Sequence, residues 1–180
     1  DILVLRSFGD KDPIKDHLKT AIEIFDKNKS YENLNINIVD VQCEDELINQ
    51  LNAFTGLIVI FDCHGNHGGE DESGWLNIGK DKVNTWELAN KCRIPPIVIL
   101  SACSTHAIDR SHASVANGLF RSGALSVIST YAPIGALHAG TFVARLLYRV
   151  SAFVPLIIKA RPITWREVVS GFLKMSYATD

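Results

Sequence analysis

The sequence predicts an α/β fold, a three-layer sandwich in which helices cover both faces of a mostly parallel central sheet. Three short apolar runs, at residues 57–61, 97–100 and 125–128, show almost no alternation with polar residues. Such runs are typical of strands that are buried on both faces. Segments with helical periodicity lie between the runs, so strands and helices alternate along the chain, as they do in such a sandwich.

The N-terminal part of the chain supplies two strands and two helices. Residues 2–5 form a first apolar run. Apolar residues three and four positions apart follow it and predict a helix that begins at Pro13, with Asp12 as its cap. Alternating apolar and polar residues over 34–39 predict a half-buried strand near a sheet edge. Residues 44–54 predict a short amphipathic helix.

The C-terminal part continues the alternation with four helical segments. A brief helix is predicted over 85–90, and a longer one over 112–121 ends at the stop signal Ser122-Gly123. Helical periodicity returns over 135–150, and Thr164 is expected to cap a last helix. The chain contains no internal repeat or linker, so we expect residues 1–180 to form a single domain.

Composition excludes several classes of protein. With 180 residues, 47% of them apolar and 21% charged, the chain is globular rather than disordered. A net charge of −2 gives no electrostatic footprint for nucleic acid or for an acidic membrane surface. The longest apolar run, 153–158, contains Pro155 and is too short to span a bilayer. We therefore expect no nucleic-acid partner and no membrane.

The cysteines and the start of the sequence indicate the cellular compartment and the kind of chain to which these residues belong. Its four cysteines form no Cys-x-x-Cys pair and no dense disulfide framework, which indicates a reducing compartment. No basic-then-apolar signal peptide opens the sequence, so we expect a cytoplasmic protein. Because the first residue is Asp1 rather than methionine, we expect a domain excised from a longer chain.

Chemistry-bearing residues follow two of the buried runs. His64 lies in the first of these loops, over 61–69, and Cys103 lies in the second, over 100–106. The carboxyl ends of parallel strands meet at one sheet edge, so we expect the imidazole and the thiol to share a crevice there. An imidazole can take the proton of a thiol and make it a nucleophile. The N–H groups of Gly65 and Cys103 could then form an oxyanion hole.

These residues resemble a known family. A strand ending in His-Gly and a later strand ending in Ala-Cys are similar to the caspase-type cysteine proteases. The closer likeness is to their CHAT branch, which is related to separase and often joined to tetratricopeptide repeats. The resemblance covers roughly residues 55 to 150 and consists of four segments in the order found in CHAT domains: 60–65, 73–78, 98–103 and 123–128.

The resemblance implies a caspase-like fold and a cysteine endopeptidase that needs no cofactor and no metal. His64 would be the general base and acid, and Cys103 the nucleophile. Ser101, two positions before the nucleophile, would help to line the pocket for the residue that precedes the cleaved bond. Caspases carry Gln there and Arg/Lys-cleaving relatives an acidic residue, so neutral Ser101 predicts a neutral or apolar preference. Asp62 is a further candidate for shaping this pocket, and Tyr131 for contacting the substrate.

Such a protease also implies partners and control. Its partners would be a protein substrate and a regulatory domain or activator protein, which could be a repeat-containing region of the parent chain. Long polar segments at both catalytic positions, 63–74 and 104–112, suggest how the activity could be controlled. They could be held apart until a partner or a cut aligns them.

Other interpretations stay open. The domain could be a non-enzymatic, caspase-like interaction scaffold whose dyad is not aligned. It could be a small-molecule binder of flavodoxin-like topology, although no phosphate-binding loop follows its first strand. Cys63 could compete as the nucleophile, but neighbours on a strand point to opposite faces, so we expect it in the core. Zinc could be held by one further set of residues: Asp62, His64, His67 and Cys103.

Overall fold

A computed structural model of the chain describes residues 1–27, 33–66, 73–102, 113–130 and 134–178. Five parallel strands form the central sheet in the order β2-β1-β3-β6-β7, and a hairpin of two further strands, β4 and β5, continues from β3. The strands are β1 (Ile2–Ser7), β2 (Ile36–Asp40), β3 (Ile58–Asn66), β4 (Trp75–Ile78), β5 (Asp81–Asn84), β6 (Ile97–Ser101) and β7 (Ser126–Ile128).

Helices cover both faces of this sheet. They are α1 (His17–Lys27), α2 (Glu44–Ala53), α3 (Val115–Arg121), α4 (Ala136–Ala160) and α5 (Trp165–Ala178), with a short 3₁₀ helix at Leu88–Asn90. Strand residues alternate between two cores. Leu3 and Leu5 pack with residues of α2 and α3, whereas Ile2 and Val4 pack with residues of α1, α4 and α5. The predicted three-layer sandwich with a mostly parallel sheet is confirmed.

Strand β3 is longer than the sequence predicted, and this changes the setting of the site. The apolar run ends at Phe61, but the strand continues to Asn66 because its last three residues pair with β4. His64 therefore lies within a strand and not in the loop after one. The expectation that residues 63–66 belong to a movable loop is wrong, and the β4–β5 hairpin was not predicted at all.

Helix α1 begins at His17, four residues later than predicted, and Asp12 is not its cap. The chain from Pro13 to Asp16 forms turns instead. Asp12 still accepts a hydrogen bond from the Ile14 N–H, at 3.1 Å, so it closes a local turn ahead of the helix.

Helix α4 runs ten residues past its predicted end and continues through Pro155. Proline has no N–H, so inside a helix it leaves the carbonyl four positions earlier without its usual donor. That carbonyl is the one of Ser151, and the side-chain amide of Asn33 donates to it at 3.3 Å. A partner outside the helix thus replaces the lost hydrogen bond.

By length and composition α4 is also the one helix, among the residues described, that is long and apolar enough to cross a membrane. Its buried residues lie between Gly140 and Ser151, and Val143, Leu146 and Leu147 among them belong to the core. A core helix passes the same test, so this finding is weak support for a membrane span.

The hairpin turn is fixed against the end of β1 and the segment after β2. The Ser7 hydroxyl donates to the Val41 carbonyl at 2.9 Å and accepts from the Gly79 N–H at 2.7 Å. Gly79 has a φ of +59°, and a Cβ there would collide with the main-chain carbonyl of Gln42. Only glycine fits this position.

Gly79→Ala should therefore destabilise the fold by about 3 kcal/mol, because the new Cβ adds a backbone clash to a left-handed conformation. Gly171→Ala is the matched control, since its site on α5 has open space around it. The control should be neutral or more stable by up to about 1 kcal/mol. Urea unfolding of both variants measures the difference, and equal midpoints would contradict it.

Candidate active site

The candidate site lies at the carboxyl edge of the sheet, where β3 and β6 run side by side. Asp62 on β3 is the register partner of Ser101 on β6. His64 follows two residues after Asp62 and so shares its face of the strand. Ala102 is the last described residue after β6, and it lines one small cavity together with Asp62, His64 and Ser101. Cys103, the next residue in sequence, and Tyr131 lie outside the described residues.

His64 is held by a carboxylate that the sequence did not assign to the site. Its Nε2 lies 2.7 Å from Oδ2 of Asp12, and the Phe8 ring meets the imidazole edge-on, with centroids 5.5 Å apart. The hydrogen bond with His64 lowers the pKa of Asp12, and the Ile14 N–H acts in the same direction. Asp12 is therefore ionised at neutral pH and accepts the bond, so Nε2 carries the proton.

The second ring nitrogen of His64, Nδ1, is then left to accept a proton. The side chain is 47% exposed, so the ring can meet a substrate as well as its carboxylate partner. An imidazole with one nitrogen fixed by a carboxylate is the usual arrangement of a general base. Asp12 could not be found from sequence patterns, because the contact joins residues far apart in the chain.

A row of polar residues crosses the sheet just below His64. Asp40, Arg6, Asp62 and Ser101 are register neighbours on β2, β1, β3 and β6. Arg6 is only 2% exposed. Its guanidinium donates to the Lys15 carbonyl at 2.5 Å, and it lies 3.0 Å from Asp16, 3.5 Å from Asp40 and 3.7 Å from Asp62. A buried arginine thus faces three carboxylates.

Among these groups, Asp62 has the pKa that is shifted furthest from its usual value. It is 4% exposed, and burial raises its pKa to about 7. A hydrogen bond with the Ser101 side chain and the charge of Arg6 lower this pKa, while the nearby Asp40 raises it. The Asp62 Oδ2 atom is buried without a hydrogen-bond partner among the described residues. Desolvation therefore outweighs the nearby arginine.

The end of β6 is tied to the segment that follows β7. The Thr130 hydroxyl donates to the Ala102 carbonyl at 3.1 Å. Thr130, which directly precedes Tyr131, thus contacts the residue just before Cys103.

Gly65 lies in the β3–β4 ladder as the register partner of Leu76. The oxyanion hole expected from the N–H groups of Gly65 and Cys103 stays a prediction, because Cys103 lies outside the described residues.

Cys63 belongs to the core, as predicted. It is buried on the opposite face of β3 from His64, among residues that pack with α2 and α3. Burial, with a smaller contribution from Asp62, raises the pKa of its thiol, so Cys63 is a poor source of thiolate.

In the part of the chain that the structure describes, no group of three or more His, Cys, Asp or Glu side chains could hold a metal ion. Two residues of the zinc hypothesis, His67 and Cys103, lie outside that part. The hypothesis therefore stays untested.

Two larger openings flank the site. A groove of about 680 Å³ lies next to His64 and is lined by Phe8, Gln42, Cys43 and Lys80, among others. A second cavity, of about 490 Å³, adjoins Ser101 between the sheet and helices α4 and α5. Its lining is mainly apolar and includes Ile99, Ile128, Ile134, Phe142 and Leu173.

Comparison of the chain with models of known protein families gave no match, and comparison with curated protein sequences gave none either.

The raised pKa of Asp62 predicts how stability depends on pH. Between pH 4 and pH 7 the unfolded chain has lost the Asp62 proton while the folded chain retains it, so stability falls as pH rises through this range. Asp62→Asn should remove up to about 4 kcal/mol of this fall, at about 1.4 kcal/mol per pKa unit. Urea unfolding of both proteins at pH 4 and pH 8 measures the difference, and an equal loss of stability in the two proteins would contradict the prediction.

Proposed function

We propose that the chain is a caspase-like cysteine endopeptidase that hydrolyses peptide bonds in protein substrates through His64 and Cys103. The observation that carries the proposal is the setting of His64. Its imidazole is fixed by the Asp12 carboxylate at the carboxyl end of β3. The neighbouring parallel strand, β6, leads directly in sequence to Cys103.

The proposed reaction uses His64 twice. Its Nδ1 accepts the proton of the Cys103 thiol, and the thiolate attacks the substrate carbonyl carbon. When the peptide C–N bond breaks, the imidazolium returns the proton to the leaving amine and a thioester remains. His64 then takes a proton from water, and the resulting attack releases the acid product and the thiol. The negative charge of Asp12 favours the imidazolium that forms at each step.

The proposed substrates carry a neutral or apolar residue before the cleaved bond. Ser101 brings no charge to the pocket beside His64, and the cavity that adjoins it is mainly apolar. Asp62, a candidate for shaping this pocket, lines the small cavity with Ser101 but is itself almost fully buried. A peptide library should show cleavage after neutral side chains. Strict cleavage after Arg or Asp would contradict this specificity.

Cys103→Ala should abolish hydrolysis of a fluorogenic peptide, because it removes the proposed nucleophile. Cys92→Ser is the matched control, since Cys92 is a half-buried cysteine after the 3₁₀ helix. The control should keep the wild-type rate. If the Cys103→Ala protein retains every activity of the wild type, the chain is instead an interaction scaffold.

Asp12→Ala should lower kcat by roughly 10- to 100-fold, since it frees the imidazole to rotate and removes the charge that favours its protonated form. KM should change little, because Asp12 bonds the base and not the substrate. Asp10→Ala is the control from the same loop, where the carboxylate is exposed and pairs with Lys15 at 3.4 Å. Steady-state kinetics of the two variants separate the effects, and equal rates would exclude this role for Asp12.

The activator remains part of the proposal. A regulatory domain, or a repeat-containing region of the parent chain, would bring the site into its active arrangement. Labelling of Cys103 by a peptide-based electrophile reports this state without turnover. We expect slow labelling of the isolated chain, and full-rate labelling and hydrolysis without any partner would argue against an activator.

A further inference from the structure

We propose that the solvent side of helix α4 is a docking surface for an anionic lipid bilayer, on which the chain lies without crossing it. The surface, called the basic stripe below, consists of Arg145, Arg149, Phe153, Leu156 and Lys159. These residues recur three and four positions apart, so they share one side of the helix. Nothing in this surface depends on the peptidase function proposed above.

The apolar part of the basic stripe faces solvent. The buried residues of α4, from Gly140 to Ser151, lie on the other sides of the helix. Phe153 is 41% exposed, Leu156 is 62% exposed, and the nearby Ile158 is 57% exposed. Single exposed apolar side chains are common on proteins, but several large ones together, surrounded by charged residues, mark an interaction site.

The charge of this end of the chain differs from that of the rest. Residues 145–174 contain six basic side chains and one acidic one, a net charge of +5, whereas the whole chain carries −2. The remaining residues together therefore carry −7. Helix α1, which packs beside α4, contains two lysines and two acidic residues and adds no net charge. The expectation of no membrane contact rested on the net charge of the whole chain, which conceals this asymmetry.

The cations of the basic stripe are not neutralised by the fold. The one acidic residue of the region, Glu167, pairs with Arg161 at 2.9 Å. Among the residues that the structure describes, no carboxylate pairs with a cation of the stripe itself. The Arg149 guanidinium lies instead over the Phe153 ring, 4.9 Å from its centroid. The stripe therefore presents positive charge directly beside apolar surface.

This mixture favours a bilayer over a protein partner. Lysine and other charged residues are depleted from the centre of protein interfaces, yet Arg149 and Lys159 flank the apolar pair Phe153 and Leu156. At a bilayer surface the same arrangement is favourable, because apolar side chains enter the headgroup region while lysine and arginine meet anionic lipids. Their long stems allow the charged ends to stay in water.

The fold also determines how α4 can meet the bilayer. Val143, Leu146 and Leu147 on its first half belong to the core beneath the sheet. The helix could cross a membrane only by leaving this core, which would unfold the domain. A helix that offers one amphipathic side to a bilayer lies in the plane of the interface. The basic stripe thus fits contact with the surface of a membrane and not passage through it.

Flotation of the full chain with lipid vesicles tests this surface. Vesicles of phosphatidylcholine with about 30% phosphatidylserine should bind the wild-type chain, and vesicles of phosphatidylcholine alone should bind it at least about 10-fold more weakly, because several cations contribute to the contact. Binding to the anionic vesicles should also weaken when the salt concentration rises from about 0.1 M to about 0.5 M, since salt screens exposed charges.

Two variants separate the apolar and the charged parts of the contact. Leu156→Gln should lower the vesicle partition coefficient roughly 10-fold, because it removes apolar surface from the headgroup region. Its matched control is Leu125→Gln, since Leu125 is another exposed leucine, just before β7. Lys159→Gln should lower the coefficient about fivefold. Lys82→Gln on β5 is its control, and both controls should stay within twofold of wild type.

Several outcomes would overturn the docking surface. The first is absence of vesicle binding, and the second is equal binding to neutral and anionic vesicles. Equal losses in the variants and their controls would show that another part of the chain makes the contact. Binding to soluble polyglutamate as tight as to anionic vesicles would assign the stripe to an acidic protein segment. A dimer in sedimentation equilibrium that Leu156→Gln dissociates, without vesicle binding, would assign it to a second copy of the chain.

Discussion

The buried guanidinium of Arg6 is the interaction on which the carboxyl edge of this sheet depends. A charge that is 2% exposed must be compensated, and the acceptors that compensate it come from β2 and from the turn before α1. The same turn carries Asp12, and Asp12 holds His64. Burial of one arginine on β1 thus fixes the loop that orients the imidazole on β3.

Three carboxylates lie within ion-pair distance of the single guanidinium of Arg6. Asp16, Asp40 and Asp62 face one guanidinium, and the two exposed carboxylates among them can be hydrated while Asp62 cannot. Asp62 is the buried carboxylate of the three, and burial raises its pKa to about 7. An apolar row would stabilise the fold more simply, so the polar row is best explained by the site that it supports.

The sequence predicts the layers well, because buried parallel strands and amphipathic helices leave strong periodic patterns. It also predicts the cap of α5, where Thr164 and Glu167 exchange hydrogen bonds as a capping box. It misses the β4–β5 hairpin, whose four-residue strands carry little pattern and whose turn depends on the contact of Gly79 with a distant carbonyl. The bond between Asp12 and His64 joins two elements that no local signal connects.

His64 lies within strand β3, and this position limits how a partner could control the site. Its backbone pairs with Asn77 of β4, and its ring is held by Asp12 and packed against Phe8, so the base is fixed from several sides. A group held in this way is preorganised, and little is gained by moving it. If a partner regulates the proposed reaction, we therefore do not expect it to act by moving His64.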